Sequence, residues 1–301
     1  MGVPWERVGT VNAQLGEGPH WDAESGRLLW VDITGRKLHV YHPASGAETS
    51  YSFERMVSAV LPDSGGGFLL AMQDGVYRFD EESGESATLR EIAPIESELP
   101  RNRLNDAKCD RAGRLWVGSM SMDNEPNAGG LYVLETDGRL RQALSGVGCS
   151  NGLAWDGERK TMYYIDTPTR RVDRFAYDEA TGEIDRRETV IRFPEFEGLP
   201  DGMTIDSEGM LWIAHWGGGR VSRWNPQCGE KLSEIELPAP LVTSCVFGGE
   251  QLDELYVTTA REGLKEATLQ RYPLSGSLFK LRPGVTGTVS WRYGAYNERR
   301  R

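Results

Sequence analysis

At 301 residues, with 39% hydrophobic and 9% aromatic side chains, the chain can bury a large core. Its formal net charge of −11 argues against a polyanion such as nucleic acid as partner, because neutralising phosphates needs an excess of Lys and Arg. No stretch approaches the roughly 20 apolar residues of a membrane span, and the opening MGVPWERVGTV lacks the apolar run of a signal peptide, so no membrane contact and a cytoplasmic location are expected.

The first predicted strand covers residues 5–11 and belongs to no repeat. A first copy then starts at Glu17 and continues through strands in RLLWVDI, KLHVYHP and TSYSF. The second, from Ser58, has FLLAM, GVYRFD and ATLREIA; the third, from Asn105, has RLWVGSM, GGLYVLET and LRQAL. The fourth, from Asn151, has TMYYID, RVDRFAYD and ETVIRF; the fifth, from Asp201, has MLWIAHW, RVSRWNP and LSEIELP; the sixth, from Thr243, has ELYVTTA and GSLFKLR. A period of about 45 residues, built from short strands and Gly/Asp/Pro turns, is the pattern of a propeller blade. The expected fold is therefore all-β, a single-domain six-bladed β-propeller over residues 1–301 with blades starting near residues 17, 58, 105, 151, 201 and 243. The sixth copy has no fourth strand of its own. The N-terminal strand is expected to pair into it, closing the ring and covering two sheet edges, while residues 297–301 read as a disordered tail.

The turns set the register of the copies. Counting back five from Asp22, Asp63, Asp110, Asp156, Asp206 and Gly248 gives Glu17, Ser58, Asn105, Asn151, Asp201 and Thr243. The next residue is also restricted, being Gly18, Ala59, Asp106, Gly152, Gly202 and Ser244, as expected where six backbones crowd together. Copies arranged around an axis bring the six oxygen-bearing side chains to one mouth of a channel, which suits a hard cation. Ser58 and Thr243 are equally explained by the preference of turns for small polar residues. Glu17 is not a turn former, and an acid buried without a partner is costly. Glu17, Asn151 and Asp201 are therefore candidate metal ligands, whereas the Asn105 amide suits a substrate as well as a metal.

Four segments carry a wider resemblance: LGEGPHW with Glu17, RLNDAKCDRAGRLWVGSM with Arg103, Asn105 and Asp106, SNGLAW with Asn151, and LPDGMTIDSEGMLWIAHWGGGRV with Asp201. On these, from about residue 14 to residue 280, the chain resembles the SMP-30/gluconolactonase family of regucalcin-like sugar lactonases. The resemblance implies a six-bladed propeller with one divalent cation in its channel, held by a Glu, an Asn and an Asp that fall on Glu17, Asn151 and Asp201. It also implies lactone contacts from Arg103 and Asn105, and hydrolysis of aldonolactones such as gluconolactone or xylonolactone. The chain departs from many relatives in reading GSM at residues 118–120 and in the loop SMDNEPNAGG that follows.

Lactone hydrolysis needs a polarised carbonyl, an activated water and a stabilised oxyanion, which a cation with open coordination positions can supply. All-oxygen ligation suits Ca, Mg, Mn or Zn, with Fe also compatible. Arg103 would direct N–H donors at the developing negative charge. Asp201 is the candidate general base. Asn105 and Asp106 would hold sugar hydroxyls, with Asp106 alternatively orienting Arg103. The expected partner is a small sugar lactone, and the expected state a monomer or weak homo-oligomer.

Other signals read as structural. Residues 148–152 match G-x-S-x-G, but the nucleophile elbow needs a strand, a turn and a helix, and here strands follow. His215, like His20, His39 and His42, reads as packed structure. Cys109, Cys149, Cys228 and Cys245 lie far apart and read as small buried thiols. Trp30, Trp116, Tyr164, Trp212 and Tyr256 recur at the repeat spacing, as residues packing between sheets would. Two competing functions share the same centre: a phosphotriester hydrolase, and a non-catalytic calcium-binding or scaffold propeller.

Overall fold

The structure is a computed structural model that describes residues 3–81 and 88–294, so the expected tail at residues 297–301 lies outside the described residues. Short runs of β-branched, aromatic and leucine residues, bounded by Gly and Asp turns, form antiparallel strands throughout. After β1 (Trp5–Val8) comes a four-stranded sheet of β2 (Gly16–Asp22), β3 (Arg27–Asp32), β4 (Lys37–His42) and β5 (Ala47–Ser52). The next holds β6 (Val57–Pro62), β7 (Phe68–Met72), β8 (Gly75–Asp80) and β9 (Thr88–Pro94). A third holds β10 (Asn102–Cys109), β11 (Leu115–Ser121), β12 (Gly129–Leu134) and β13 (Leu140–Val147). A fourth holds β14 (Ser150–Asp156), β15 (Thr161–Asp166), β16 (Arg171–Tyr177) and β17 (Ile184–Arg192).

The last strands form one eight-stranded sheet. Its first half is β18 (Leu199–Ile205), β19 (Leu211–Trp216), β20 (Arg220–Asn225) and β21 (Glu230–Glu236). Its second half is β22 (Leu241–Gly248), β23 (Glu254–Ala260) and β24 (Leu278–Leu281), joined to the first through the single pair Trp216–Leu241. The N-terminal strand completes this second half as expected: β1 runs antiparallel to β24, with Trp5 opposite Leu281 and Val8 opposite Leu278. A six-residue helix, α1 (Glu266–Arg271), interrupts the connection between β23 and β24. Among the described residues no helix is long and apolar enough to cross a membrane.

The first strand of each repeat packs against the next, β2 on β6, β6 on β10, and so on through β14, β18 and β22, which returns to β2. The recurring aromatics Trp30, Trp116, Tyr164, Trp212 and Tyr256 are all essentially fully buried, as a packing role requires. Each such large side chain removed from water contributes about 1.5–3 kcal/mol.

The aspartates used to set the register earn their recurrence structurally. Asp206 Oδ1 accepts the N–H groups of Glu208 and Met210, while its Oδ2 accepts from Trp212 Nε1 at 2.9 Å and Arg223 Nε at 2.7 Å. Asp110 does the same for Arg114 N–H, Trp116 Nε1 and Tyr177 Oη. One carboxylate thus closes the turn and anchors the buried indole of the next strand.

Each first strand also carries a register shift at one equivalent place. These lie between Glu17 and His20, Val57 and Ala59, Leu104 and Ala107, Asn151 and Leu153, Pro200 and Met203, and Val242 and Ser244. A bulge breaks the alternation of a strand and re-aims its side chains, and here it falls on the six positions picked out by the repeat. The crowding expected one residue later is present. A Cβ on Gly202 would lie 2.1 Å from Ser244 Oγ and 2.7 Å from Ser244 Cα, and one on Gly152 2.9 Å from the Asp201 carbonyl.

One expectation about the thiols needs correction. All four cysteines are free, and Cys109 and Cys245 are buried, but Cys149 is only partly buried and Cys228 is exposed. Cys228 sits in the tight turn between β20 and β21, which faces outward.

Candidate active site

The six bulge residues are all buried, but they divide by what their side chains do. Ser58 and Thr243, at 1% and 0% exposure, stitch neighbouring strands together. Ser58 Oγ donates to the Leu104 carbonyl at 2.5 Å and Thr243 Oγ1 to the Gly16 carbonyl at 2.6 Å. Glu17, Asn105, Asn151 and Asp201 keep 7%, 6%, 5% and 5% exposure.

Two of these four, Asn105 and Asn151, belong to one directed chain of hydrogen bonds. Arg103 Nη1 donates to Asn105 Oδ1 at 2.6 Å and to the Leu104 carbonyl at 3.0 Å. Asn105 Nδ2 donates to the Ser150 carbonyl at 2.7 Å and to Asn151 Oδ1 at 3.0 Å. Asn151 Nδ2 donates to Thr167 Oγ1 at 2.8 Å, and that hydroxyl donates at 2.8 Å to the carbonyl of Pro200, the residue before Asp201. The acids are fixed differently, each by the bulge itself: Glu17 Oε2 accepts the Gly18 N–H at 2.8 Å, and Asp201 accepts the N–H of Gly202.

The electrostatics show a site short of positive charge. Burial raises the Glu17 carboxyl above the usual carboxylate range, and Asp106 adds to the effect. Asp201 is raised well above its ordinary value by burial, then by Glu17 and Asp106. Arg103, half-buried, is lowered by burial although Glu17, Glu262 and Asp201 all favour its charge. Arg103, with Lys108 also acting on Glu17, leaves both carboxyls raised, and a further cation would offset them.

Asp106 acts on Glu17 and Asp201 and also borders a cavity. It follows Asn105 directly, yet the bulge sends it toward residues further along the same strands, where it lines a cavity with His20, Lys108, Trp155 and Ser244, roofed by residues 288–291. Lys108 Nζ donates to the Met203 carbonyl at 2.5 Å, while Asp106 Oδ2 and His20 Nε2 find no partner among the described residues. Burial lowers His20 to about 3, so its imidazole is neutral. The structure thus brings Glu17, Arg103, Asn105, Asn151 and Asp201 together, with the Asp106 carboxyl acting on both acids and on Lys108 at the cavity.

Whether the residues fit a cation depends on their donors. Among the described residues no three His, Cys, Asp or Glu side chains gather as a metal-holding cluster. The candidate set has two acids and an amide, all hard oxygen donors, and the Asn151 amide has its nitrogen engaged on the far side by Thr167, which leaves the oxygen facing Asn105 and the site. Two buried acids that repel each other and an amide oxygen oriented this way fit a hard divalent ion.

Sequence reasoning missed Thr167, which lies outside the six equivalent positions, and Lys108, whose two-residue spacing from Asp106 was the available signal. It had set His215 aside correctly. That imidazole is fully buried, with Nδ1 donating to the Glu197 carbonyl at 2.8 Å and Nε2 bonded to Ser222 Oγ at 2.5 Å. The G-x-S-x-G match is accidental too: Ser150 opens β14, a strand continues from it, and its hydroxyl pairs with Tyr164 Oη at 2.9 Å.

Comparison with known proteins points one way. Residues 15–261 match the family model described as the SMP-30/Gluconolactonase/LRE-like region. A Bacillus subtilis protein, YvrE, whose name assigns it provisionally to the sugar lactone lactonases, is 43% identical over 267 residues, covering 89% of this chain and 90% of its own. Regucalcin of Xenopus laevis is 38% identical over 273 residues, covering 89% and 90%. Among solved structures, a calcium-binding regucalcin from Agrobacterium tumefaciens is 31% identical with a TM-score of 0.90, covering 98% of both chains.

Proposed function

The chain belongs to the SMP-30/gluconolactonase/LRE-like family, and we propose that within it this protein is a metal-dependent lactonase that opens sugar aldonolactones, of the gluconolactone and xylonolactone kind, to aldonic acids. The observation that carries this reading is the meeting of Glu17, Asn151 and Asp201 beside the Arg103–Asn105 pair at one level of six neighbouring strands. The matching architecture is a single-domain ring of six blades. It is supported by the first strands packing in turn from β2 round to β22, and by β1 completing the last blade.

In this reading Glu17, Asn151 and Asp201 hold one Ca, Mg, Mn or Zn ion. When bound, the cation polarises the lactone carbonyl and makes a water more acidic. Arg103 binds the lactone and faces the oxyanion with fixed N–H donors, its guanidinium already held by Asn105. Asn105 orders both Arg103 and Asn151, so the substrate and metal halves of the site are built as one unit. Asp201 receives the proton of the attacking water and returns it to the ring oxygen as the ester C–O bond opens. Asp106, with Lys108 as its countercharge, holds a sugar hydroxyl or orients Arg103.

The competing reading is a cation-binding propeller without catalysis, which the calcium-binding relative from Agrobacterium tumefaciens keeps in view. A screen separates them. Protein stripped of metal is assayed against five- and six-membered aldonolactones with Ca, Mg, Mn and Zn restored in turn. Hydrolysis that is lost with chelator and returns with at least one ion is expected; cation binding without hydrolysis of any lactone would establish the competing reading.

A further inference from the structure

We propose that Thr167 is a positioning residue of the cation site: it fixes the Asn151 amide with its oxygen toward the site and so sets the affinity for the ion. The inference rests on the reading of Glu17, Asn151 and Asp201 as cation ligands. An asparagine ligates a hard cation only through Oδ1, yet the two ends of an amide have nearly the same shape, so its hydrogen-bond partners alone decide which end faces where.

At Asn151 that decision is forced from both sides. One end of the chain described above is Arg103, whose guanidinium can only donate. It donates to Asn105 Oδ1, which leaves the Asn105 Nδ2 end to donate to Asn151 Oδ1. The other end is the Pro200 carbonyl, which can only accept. The Thr167 hydroxyl proton is therefore committed to Pro200, and Thr167 Oγ1 is left to accept from Asn151 Nδ2. A chain running from an obligate donor to an obligate acceptor has one polarity, and Thr167 is the link that imposes it from the far side.

The fold holds Thr167 in place for this. It is the first residue of a 3-10 turn, Thr167–Thr169, that follows β15, and it is 8% exposed. Its backbone N–H donates to the Cys149 carbonyl at 3.0 Å. The preceding Asp166 accepts the N–H groups of Gly148 and Cys149, and Thr169 Oγ1 donates to the Asp166 carbonyl at 2.6 Å. The turn is thus clamped to the segment leading into Asn151 while its hydroxyl reaches the peptide leading into Asp201. One side chain ties two of the three proposed ligands together.

The test is calorimetric titration of metal-free protein with Mn2+, with circular dichroism and thermal unfolding confirming that each variant is folded. Thr167→Val keeps the shape and removes the hydroxyl, and is expected to weaken Mn2+ binding about 10–100-fold, the scale seen when a partner of a metal ligand is lost. Thr167→Ser restores the hydroxyl and should bind within a few-fold of wild type. In an Asn151→Asp background, where a carboxylate needs no orienting, Thr167→Val should change the affinity little. If valine prevents folding, Thr167→Ala carries the same comparison. Unchanged affinity in Thr167→Val, equal weakening in Thr167→Ser, or the same loss in the Asn151→Asp background would overturn this inference alone. A wild-type protein that binds no Mn2+ would overturn it together with the reading it rests on.

Discussion

Asp201→Asn is expected to lower kcat/KM for a hydrolysed aldonolactone by roughly 10²–10⁴-fold, the usual worth of a positioned general base, while the protein still takes up a divalent cation. The asparagine keeps the shape and one donor oxygen, so the site retains Glu17, Asn151 and an amide in the third place. What it cannot do is take a proton from water. Asp201 is suited to that step because it is a buried acid fixed on the bulge beside Glu17 and Arg103. The loss should fall mainly on kcat, since Arg103 and Asn105 are untouched and carry substrate binding in this account. Full activity in the variant would remove Asp201 from the mechanism and leave it as a ligand at most.

The second large effect is on stability. In chelator the folded protein should become less stable as pH rises from 7 to 8, and a saturating divalent cation should remove most of that slope. The sign follows from the two acids. Burial raises Glu17 to about 8 and shifts Asp201 in the same direction, so up to about pH 8 the folded chain holds a Glu17 proton that the unfolded chain, with an ordinary carboxyl near 4, has already lost. Stability falls with pH wherever the folded state binds more protons, by at most about 1.4 kcal/mol per pH unit for each such group.

The buried histidines do not confuse this window. His20 and His39 are lowered to about 3 and about 4, so their contribution to stability grows as pH rises toward the ordinary histidine value near 6.5 and is complete above it. Lys108 is lowered from 10.5 by burial, and burial raises the thiols of Cys109, Cys149 and Cys245, so these groups add slopes of their own at higher pH, which is why the comparison stops at pH 8. A bound cation takes over the role of those protons, because ligands must be deprotonated to bind it. Melting temperatures in chelator that rise with pH between 7 and 8, or that match those with metal at every pH, would contradict the charge balance described for the site.

Much of the fold was legible because repetition leaves its mark on residues with strict roles. Asp110 and Asp206 recur before Trp116 and Trp212 because one carboxylate must close the turn and hold the indole. Gly202 recurs because a Cβ there would meet the backbone of the next strand. Counting from those fixed points found Glu17, Asn151 and Asp201. The same count could not see the bulges, since a register shift depends on how two strands pair and not on either strand alone. That is why Asn105 and Asp106, adjacent in sequence, were grouped together, whereas the bulge gives them different neighbours.

Thr167 was hidden for a related reason. It lies on a turn after the second strand of its repeat, outside every equivalent position, and its role comes from three segments that meet only in the folded chain. Cys149 shows a further limit: its sulfur lies 3.6 Å from Asn151 Nδ2 and 3.8 Å from Asn105 Nδ2, a neighbourhood that cysteine spacing does not reveal. Burial pushes this thiol up to about 12, so it lines the site as a neutral group.

The central claim is that one divalent cation sits among Glu17, Asn151 and Asp201. Anomalous diffraction from crystals equilibrated with Mn2+ tests it most directly. The account predicts one strong peak within coordination distance of a carboxylate oxygen of Glu17, the amide oxygen of Asn151 and a carboxylate oxygen of Asp201. A peak elsewhere in the chain, or Asn151 presenting its nitrogen to the ion, would contradict it.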